Sequence, residues 1–517
     1  MKKTLALLLA MLMLAAMVPG VALAEEPYTY TMVMRNFGPL NENPPMVKYW
    51  NERFGVNFDL IYVEDASANE QITLMVTGGE IPDVLQYIDQ MAYFEQGILG
   101  GWTEEFFRAH APNLSNYIDA INPAAWNYAK LDGELMYSIP GFRMYNSIAK
   151  PLFWRTDWLK NVGFENPPRE LADVEKALYA FVNDDPDGNG VKDTYGLSNT
   201  SLPMVYGAFG FQRNTWMEDG NGGVVMGDVM PEAKEALALL AKWYKDGVLD
   251  PEFITGENQG GYWAITHAFL NNRIGLTGMG QFYHWVDVTD VEGGVMKAAM
   301  PTQWEEVGQT GTYAPGPAAV GPTGKAGTEM YHSTTLRTAF SANLVKDEAR
   351  FARLLEIIDE MNCSSIENSA MAARGMPGEQ HEIVEWAGVK SLVNMPDVVP
   401  NVTNNGIGAA NWFAFIEESG NFDYQKVVYA QDFYWYDHHM KDVVPNEGYM
   451  SAIFGALPSQ SMYKAECDKI VNEGYVAIIT GDKPIDYFDD MVKQWYAAGG
   501  ETLTKEASEL YVRQNAK

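Results

Sequence analysis

Cysteine is scarce in this sequence: Cys363 and Cys467 are the two present in 517 residues. Two cysteines make no disulfide scaffold, and a chain this long needs none. Whether they pair or stand apart as buried thiols stays open at this point. Long apolar runs are equally scarce. After residue 18 no stretch of eighteen consecutive apolar residues occurs, so the body of the chain offers no membrane-spanning helix. Positive charge is short as well: 36 Lys and Arg stand against 68 Asp and Glu, a formal net charge of −32. Such an acidic surface repels nucleic acid and anionic membranes, and it makes a highly anionic ligand the less natural choice.

Catalytic signatures are missing too. His381-Glu382 is not followed by a histidine at metalloprotease spacing, and the adjacent His438 and His439 would point different ways on a helix. There is no G-x-S-x-G elbow, no G-x-x-x-x-G-K-[ST] phosphate loop and no dinucleotide fingerprint. Abundant Asp and Glu leave a glycosidase carboxylate pair open, but nothing in the sequence singles one out. The chain is accordingly read as non-enzymatic, with a polysaccharide-acting enzyme as the rival.

What is present begins at residue 1. Lys2 and Lys3 precede an Ala/Leu/Met run over residues 5–18, Pro19-Gly20 breaks it, and Ala22-Leu23-Ala24 supplies small residues before Glu25-Glu26. This is the pattern of a secretory signal peptide, residues 1–24, cleaved after Ala24. Its removal makes the net charge more negative by two. No cysteine lies near the cleavage site, so a soluble, secreted or periplasmic protein without an N-terminal lipid anchor is expected.

The mature chain is long enough for two cores. Tyr28–Phe37 alternates as a strand, Pro45–Phe54 has helical spacing ending at Gly55, and Val56–Val63 is a second strand. Asn69–Thr77 is helical before Gly78-Gly79, and Ile81–Leu85 enters a third strand. Strands alternating with helices predict an α/β fold with a mainly parallel sheet. Later, Met136–Pro140 is strand-like, and Leu171–Val182 and Pro231–Asp246 are helical. Pro484–Tyr511 is helical with a break at Gly499-Gly500.

One motif is sharp. Asp185-Pro186-Asp187-Gly188-Asn189-Gly190-Val191-Lys192-Asp193 places oxygen donors at positions 1, 3, 5 and 9, with the Val191 carbonyl at 7 and Gly190 at the turn. This is the front of a calcium loop. Position 12 is Gly196 rather than the usual glutamate, so other oxygens must complete the shell. One unpaired loop suits a structural calcium rather than a sensor.

Several segments together resemble one family. They are Leu74–Val84, Arg155–Leu159, the Asp185–Gly190 loop, Trp243–Phe253, Ile479–Asp482, and Trp495 through Lys505-Glu506. In order and spacing the chain resembles the extracellular solute-binding proteins of the oligosaccharide-binding kind that serve ABC importers. The resemblance implies a two-lobed α/β fold with a hinge, a ligand cleft between the lobes, and a structural calcium away from the sugar. It implies an oligosaccharide ligand, a membrane permease as partner and a monomeric shuttle, with no direct membrane insertion. The lobes are placed approximately at 25–145 plus 325–375 and at 146–324 plus 376–517. A peptide or other non-sugar solute is the rival within this fold.

Sugars present C–H faces and hydroxyls, so a cleft for them needs aromatic planes and planar polar side chains. The aromatic candidates are Trp216, Trp263, Tyr283, Trp285, Trp412 and Trp435. Tyr283 and Trp285 lead because they follow a strand-to-loop change at Gly278-Met279-Gly280. The polar candidates are Arg155, Asp157, Arg213, Asn214 and Glu80, with Arg155 and Asp157 alternatively pairing with each other. Each aromatic stands against an ordinary role in core packing.

Overall fold

The computed structural model describes residues 26–36, 45–64, 67–86, 88, 90–130, 134–255, 266–294, 304, 306–395 and 421–515. The leader and the candidates Trp263 and Trp412 lie outside these residues. Alternating Thr, Tyr, Met and Val residues build β1 (Thr29–Asn36). Helix α1 (Pro45–Phe54) buries Met46, Val47, Trp50 and Phe54, one face of a 3.6-residue period, and Gly55 at φ 66° turns the chain out of it. β2 (Asn57–Glu64) pairs parallel with β1 along its length, from Thr29↔Asn57 to Asn36↔Glu64. Then come α2 (Ala68–Thr77), β3 (Val84–Gln86), α3 (Gln90–Glu95) and β4 (Ile139–Phe142).

Residues 143–151 carry the chain to a second sheet. Its elements are β5 (Leu152–Arg155), α4 (Thr156–Asn161), α5 (Leu171–Asn183), β6 (Tyr195–Leu197), α6 (Pro231–Lys245), β7 (Ile274–Thr277) and β8 (Tyr313–Gly316). The strand order is β8-β5-β7-β6. The chain returns through β9 (Thr328–Glu329) to β10 (Thr334–Phe340), which completes the first sheet as β2-β1-β3-β10-β4. Helix α7 (Glu348–Cys363) and a hairpin, β11 (His381–Trp386) and β12 (Val389–Asn394), follow. Last come α8 (Phe422–Val428), α9 (Ala430–His439), β13 (Gly448–Tyr449), α10 (Gln460–Thr480), α11 (Tyr487–Trp495) and α12 (Glu501–Gln514). Between α11 and α12, Gly499 takes φ 121° and lies so close to the Tyr463 ring that a Cβ would sit 2.3 Å from it.

Each sheet runs mainly one way, with a single dissenting strand. β10 is antiparallel to β3 and β4, and β5 is antiparallel to β7 and β8. The reason is connectivity. β4 and β8 each end at the edge where the chain leaves for the other sheet. β5 and β10 each begin at that edge on arrival, so they must run against their neighbours. The carboxyl ends of the remaining strands of both sheets therefore face the crossing region.

Three segments lie side by side there. Lys150 N donates to Glu329 O at 2.9 Å, and Thr328 Oγ1 to Lys150 O at 2.6 Å. β9 pairs parallel with β13, with Thr328 N donating to Glu447 O and Met330 N to Tyr449 O. Asn446 ties the first segment to the third, accepting from Ala149 N and donating to Ser147 O. Ion pairs Lys150–Glu329 and Arg169–Glu447, both 2.7 Å, flank the bundle.

Separate cores lie on the two sides. One gathers Met32, Trp50, Phe107, Phe340 and Phe351; another gathers Trp154, Trp158, Phe181, Trp243 and Tyr475. The open question of the cysteines is answered by this division: Cys363 is buried in the first core, Cys467 in the second, and the two form no disulfide with each other. Among the described residues no helix is long and apolar enough to cross a membrane.

Candidate functional site

The carboxyl edge of a sheet with reversed strand order is where α/β folds leave a crevice. Here β3 runs into α3 at that edge, and α3 packs Tyr93 and Phe94 against the first sheet. Across from it stands the start of α10, anchored by Leu457 in the second core. Between them opens a cleft of about 420 Å³, lined by Ala92 and Glu95 on one side and by Pro458, Gln460, Lys464 and Asp468 on the other. That volume is within the usual range for small-molecule sites. Leu457, Gln460, Lys464 and Asp468 also border a smaller pocket that reaches Asn214, Trp216 and Trp495. Gln90, at the start of α3, is 5% exposed, and neither atom of its amide has a hydrogen-bond partner among the described residues.

Of the residues singled out from sequence, Asn214 and Trp216 are brought together at this pocket. Asn214 takes φ 52° and its N–H donates to Asp228. Arg213 beside it is engaged elsewhere: its Nε donates to Asp228 Oδ1 at 2.8 Å, and its guanidinium lies 4.3 Å from the Tyr475 ring. Glu80 is exposed in the turn after α2. Arg155 and Asp157 take the alternative role. Arg155 Nε and Nη2 donate to Asp157 at 2.9 and 2.6 Å, Nη1 donates to Asn272, and the guanidinium lies between Trp158 and Trp304. This arrangement holds the end of β5 in place.

Of the two leading aromatics, the structure contradicts the open platform expected of Trp285 and leaves Tyr283 partly accessible. Trp285 is fully buried, stacked on Phe153 at 3.9 Å, with Nε1 donating to Met279 O. Its ring offers no open face, because the short turn Phe282–His284 folds it back into a third core. Trp435 is 5% exposed in the same core. Tyr283 is half-buried and meets Tyr145 at 5.1 Å, and Tyr145 meets Tyr429 at 5.4 Å. Tyr145 lies on the first crossing segment and Tyr429 between α8 and α9, so this aromatic group stands at the crossing. Sequence reasoning passed over Tyr145, Tyr429, Gln90 and the Lys464–Asp468 pair. The run Leu457-Pro458-Ser459-Gln460 does carry a helix-start signal, but nothing local says that this helix faces α3.

The Asp185–Asp193 loop is folded around its own carboxylates. Asp185 accepts from Asn189 N and Gly190 N at 3.1 and 3.0 Å. The Asn189 side-chain amide donates to Asp187 at 2.9 Å and to Asp193 at 3.3 Å, so these acids converge on one point. Burial, and then the neighbouring charges of Asp193 and Asp185, push the Asp187 carboxyl above its usual range. Among the described residues no group of three or more His, Cys, Asp or Glu side chains is arranged to hold a metal ion. The loop's own donor set includes an amide and the Val191 carbonyl. That set of hard oxygens, with like charges gathered at one point, fits calcium chemistry.

No family model matches the chain. Over 495 residues it is 24% identical to the lipoprotein LipO of Bacillus subtilis, a match covering 91% of the chain and 89% of LipO. Over 499 residues it is 22% identical to the polygalacturonan/rhamnogalacturonan-binding protein YtcQ of the same species, with the same coverage. Among solved structures, it is similar to an HMO-binding, ABC-transporter-associated solute-binding protein of Bifidobacterium longum infantis. There the TM-score is 0.69 at 14% identity, covering 95% of the chain and 100% of that one. The alginate-binding protein AlgQ2, solved without calcium ion, gives a TM-score of 0.61 at 18% identity, covering 94% of the chain and 98% of AlgQ2. An EF-hand mutant of Streptococcus pneumoniae FusA gives 0.62 at 17%, covering 94% of the chain and 99% of FusA. The chain has the two-lobed α/β fold of these solute-binding proteins, and calcium is implicated in some of them. The expectation of no lipid anchor is corrected by LipO: a lipoprotein matches nearly the whole chain, so scarcity of cysteine near residue 24 is no ground for excluding an anchor.

Proposed function

We propose, from the premise that the chain is an extracytoplasmic solute-binding protein of the oligosaccharide-binding kind serving ABC importers, that it captures its sugar between α3 and α10. It is a binding protein and not an enzyme. The observation that carries the reading is the cleft of about 420 Å³ walled by elements of two separate cores, with three described segments bonded side by side at the crossing between them. Closing such a cleft removes ligand hydroxyls from water and strengthens each hydrogen bond made to them. It also creates a closed shape that a permease partner can recognise. Gln90, Asn214, Trp216 and Gln460 are the side chains we assign to the ligand, with Tyr283 at the crossing end. The first lobe takes 25–145 plus 325–375 and the second 146–324 plus 376–517.

The Asp185–Asp193 loop is our candidate for a structural calcium. Asp185, Asp187, Asn189, Asp193 and the Val191 carbonyl would hold it, after a turn of the Asn189 amide that presents Oδ1 instead of the N–H group. It would pin the end of α5 and has no part in ligand contact. A thermal-shift screen of the mature chain in calcium tests the ligand class. An upward shift with an oligosaccharide series is expected, about 2.7 kcal/mol of added stability at a hundredfold excess over Kd. A shift with peptides and none with any sugar would leave the fold and discard the ligand.

A further inference from the structure

The charges that line the cleft say which sugars it takes. Across the cleft and its adjoining pocket, the charged lining residues among those described are Glu95, Lys464, Asp468 and Asp228. Three are carboxylates and one is an ammonium. Lys464 is committed to Asp468 one helical turn on, and Asp228 to Arg213. Glu95 is exposed and has no cationic partner among the described residues. The rest of the polar lining is neutral: Asn214, Gln460 and Ser461. Glu95 is thus the charge of this lining left without an opposite partner among the described residues, and the field of the whole chain, at a formal −32, adds to its own.

We propose that the cleft selects neutral oligosaccharides and rejects chains of uronic acids, with Glu95 as the residue that enforces the choice. The inference rests on the cleft being the ligand site. A neutral sugar offers hydroxyls to the amides and the ion pair at no charge cost. A uronate brings a carboxylate on every ring against Glu95, and the one ammonium among the described lining residues, Lys464, is already paired with Asp468. The penalty is electrostatic, so it weakens with salt.

The test is isothermal titration calorimetry on the mature chain with calcium. Malto-, cello-, galacto- and fructo-oligosaccharides are compared with oligogalacturonides and alginate oligomers of matched length. At least one neutral series is expected to bind, with every uronate about tenfold weaker or worse at low salt. The gap should shrink in high salt, and Glu95→Gln should raise uronate affinity by a few fold. Uronates binding as tightly as the neutral series would overturn the inference and leave oligosaccharide capture standing. An unchanged uronate affinity in E95Q would overturn the role of Glu95. Binding of no saccharide at all would overturn the functional reading beneath it.

Discussion

His284 Nδ1 accepts the Gln281 main-chain N–H at 2.9 Å, which an imidazolium cannot do. Burial, the largest cause, pushes the imidazole down to about 4. The unfolded chain, near the ordinary 6.5, binds this proton first as pH falls, so the contribution of His284 is fully present above 6.5 and is lost progressively toward 4. His332 and His381 are also lowered, chiefly by burial, and act in the same direction. Urea unfolding followed from pH 7 to 4.5 should show stability falling by up to about 1.4 kcal/mol per pH unit for His284 alone. The slope should be shallower in His284→Gln. A flat wild-type profile would contradict the burial of a neutral imidazole. Trp285, the next residue along, shows how residue type misleads. A tryptophan after a strand end suits a sugar platform and a core equally well. Here the stack on Phe153 places it where truncation to Ala would cost about 3–5 kcal/mol of folding stability.

Elements were more readable than the contacts between them. The face Met46, Val47, Trp50 and Phe54 marks α1, and Pro45 and Gly55 bound it where the structure does. The α5 pattern was legible to within a residue at its end. Such limits are set by local physics: spacing of apolar side chains, a proline that starts a helix, a glycine that accepts positive φ. The loop after α5 belongs to the same scale. Its positive-φ positions are Asp185, Gly188 and Gly190, and its carboxylates are held within hydrogen-bond reach of the Asn189 amide. Asp187→Ala is expected to lower the melting temperature in calcium and to abolish the stabilisation that calcium gives the wild type. Differential scanning calorimetry with and without a chelator reads both. An intact calcium response in D187A would remove the loop from consideration as the ion site.

On the scale of the whole molecule, the three crossings bond to one another side by side in the bundle at 147–151, 328–330 and 446–449. On the proposed reading, rotation of one lobe about it would close the gap between α3 and α10, with the aromatic contacts Tyr145–Tyr283 and Tyr128–Phe454 shifting at the crossing. Small-angle X-ray scattering with a saturating bound oligosaccharide should therefore show a smaller radius of gyration than the free chain. An unchanged radius, with binding proven by calorimetry, would mean a cleft that fills without closing. The sequence by itself determined the alternation of strands and helices, the acidic surface and the donor order of the Asp185–Asp193 loop, since each is written in neighbouring residues. Tertiary structure decided which strand runs backward in each sheet, that Cys363 and Cys467 fall in different cores, and that Arg155 serves Asp157 and Asn272. It also decided that Glu95 faces Lys464 and Asp468 across open space. Those depend on where the chain returns after hundreds of residues, and no local pattern of side chains carries that distance.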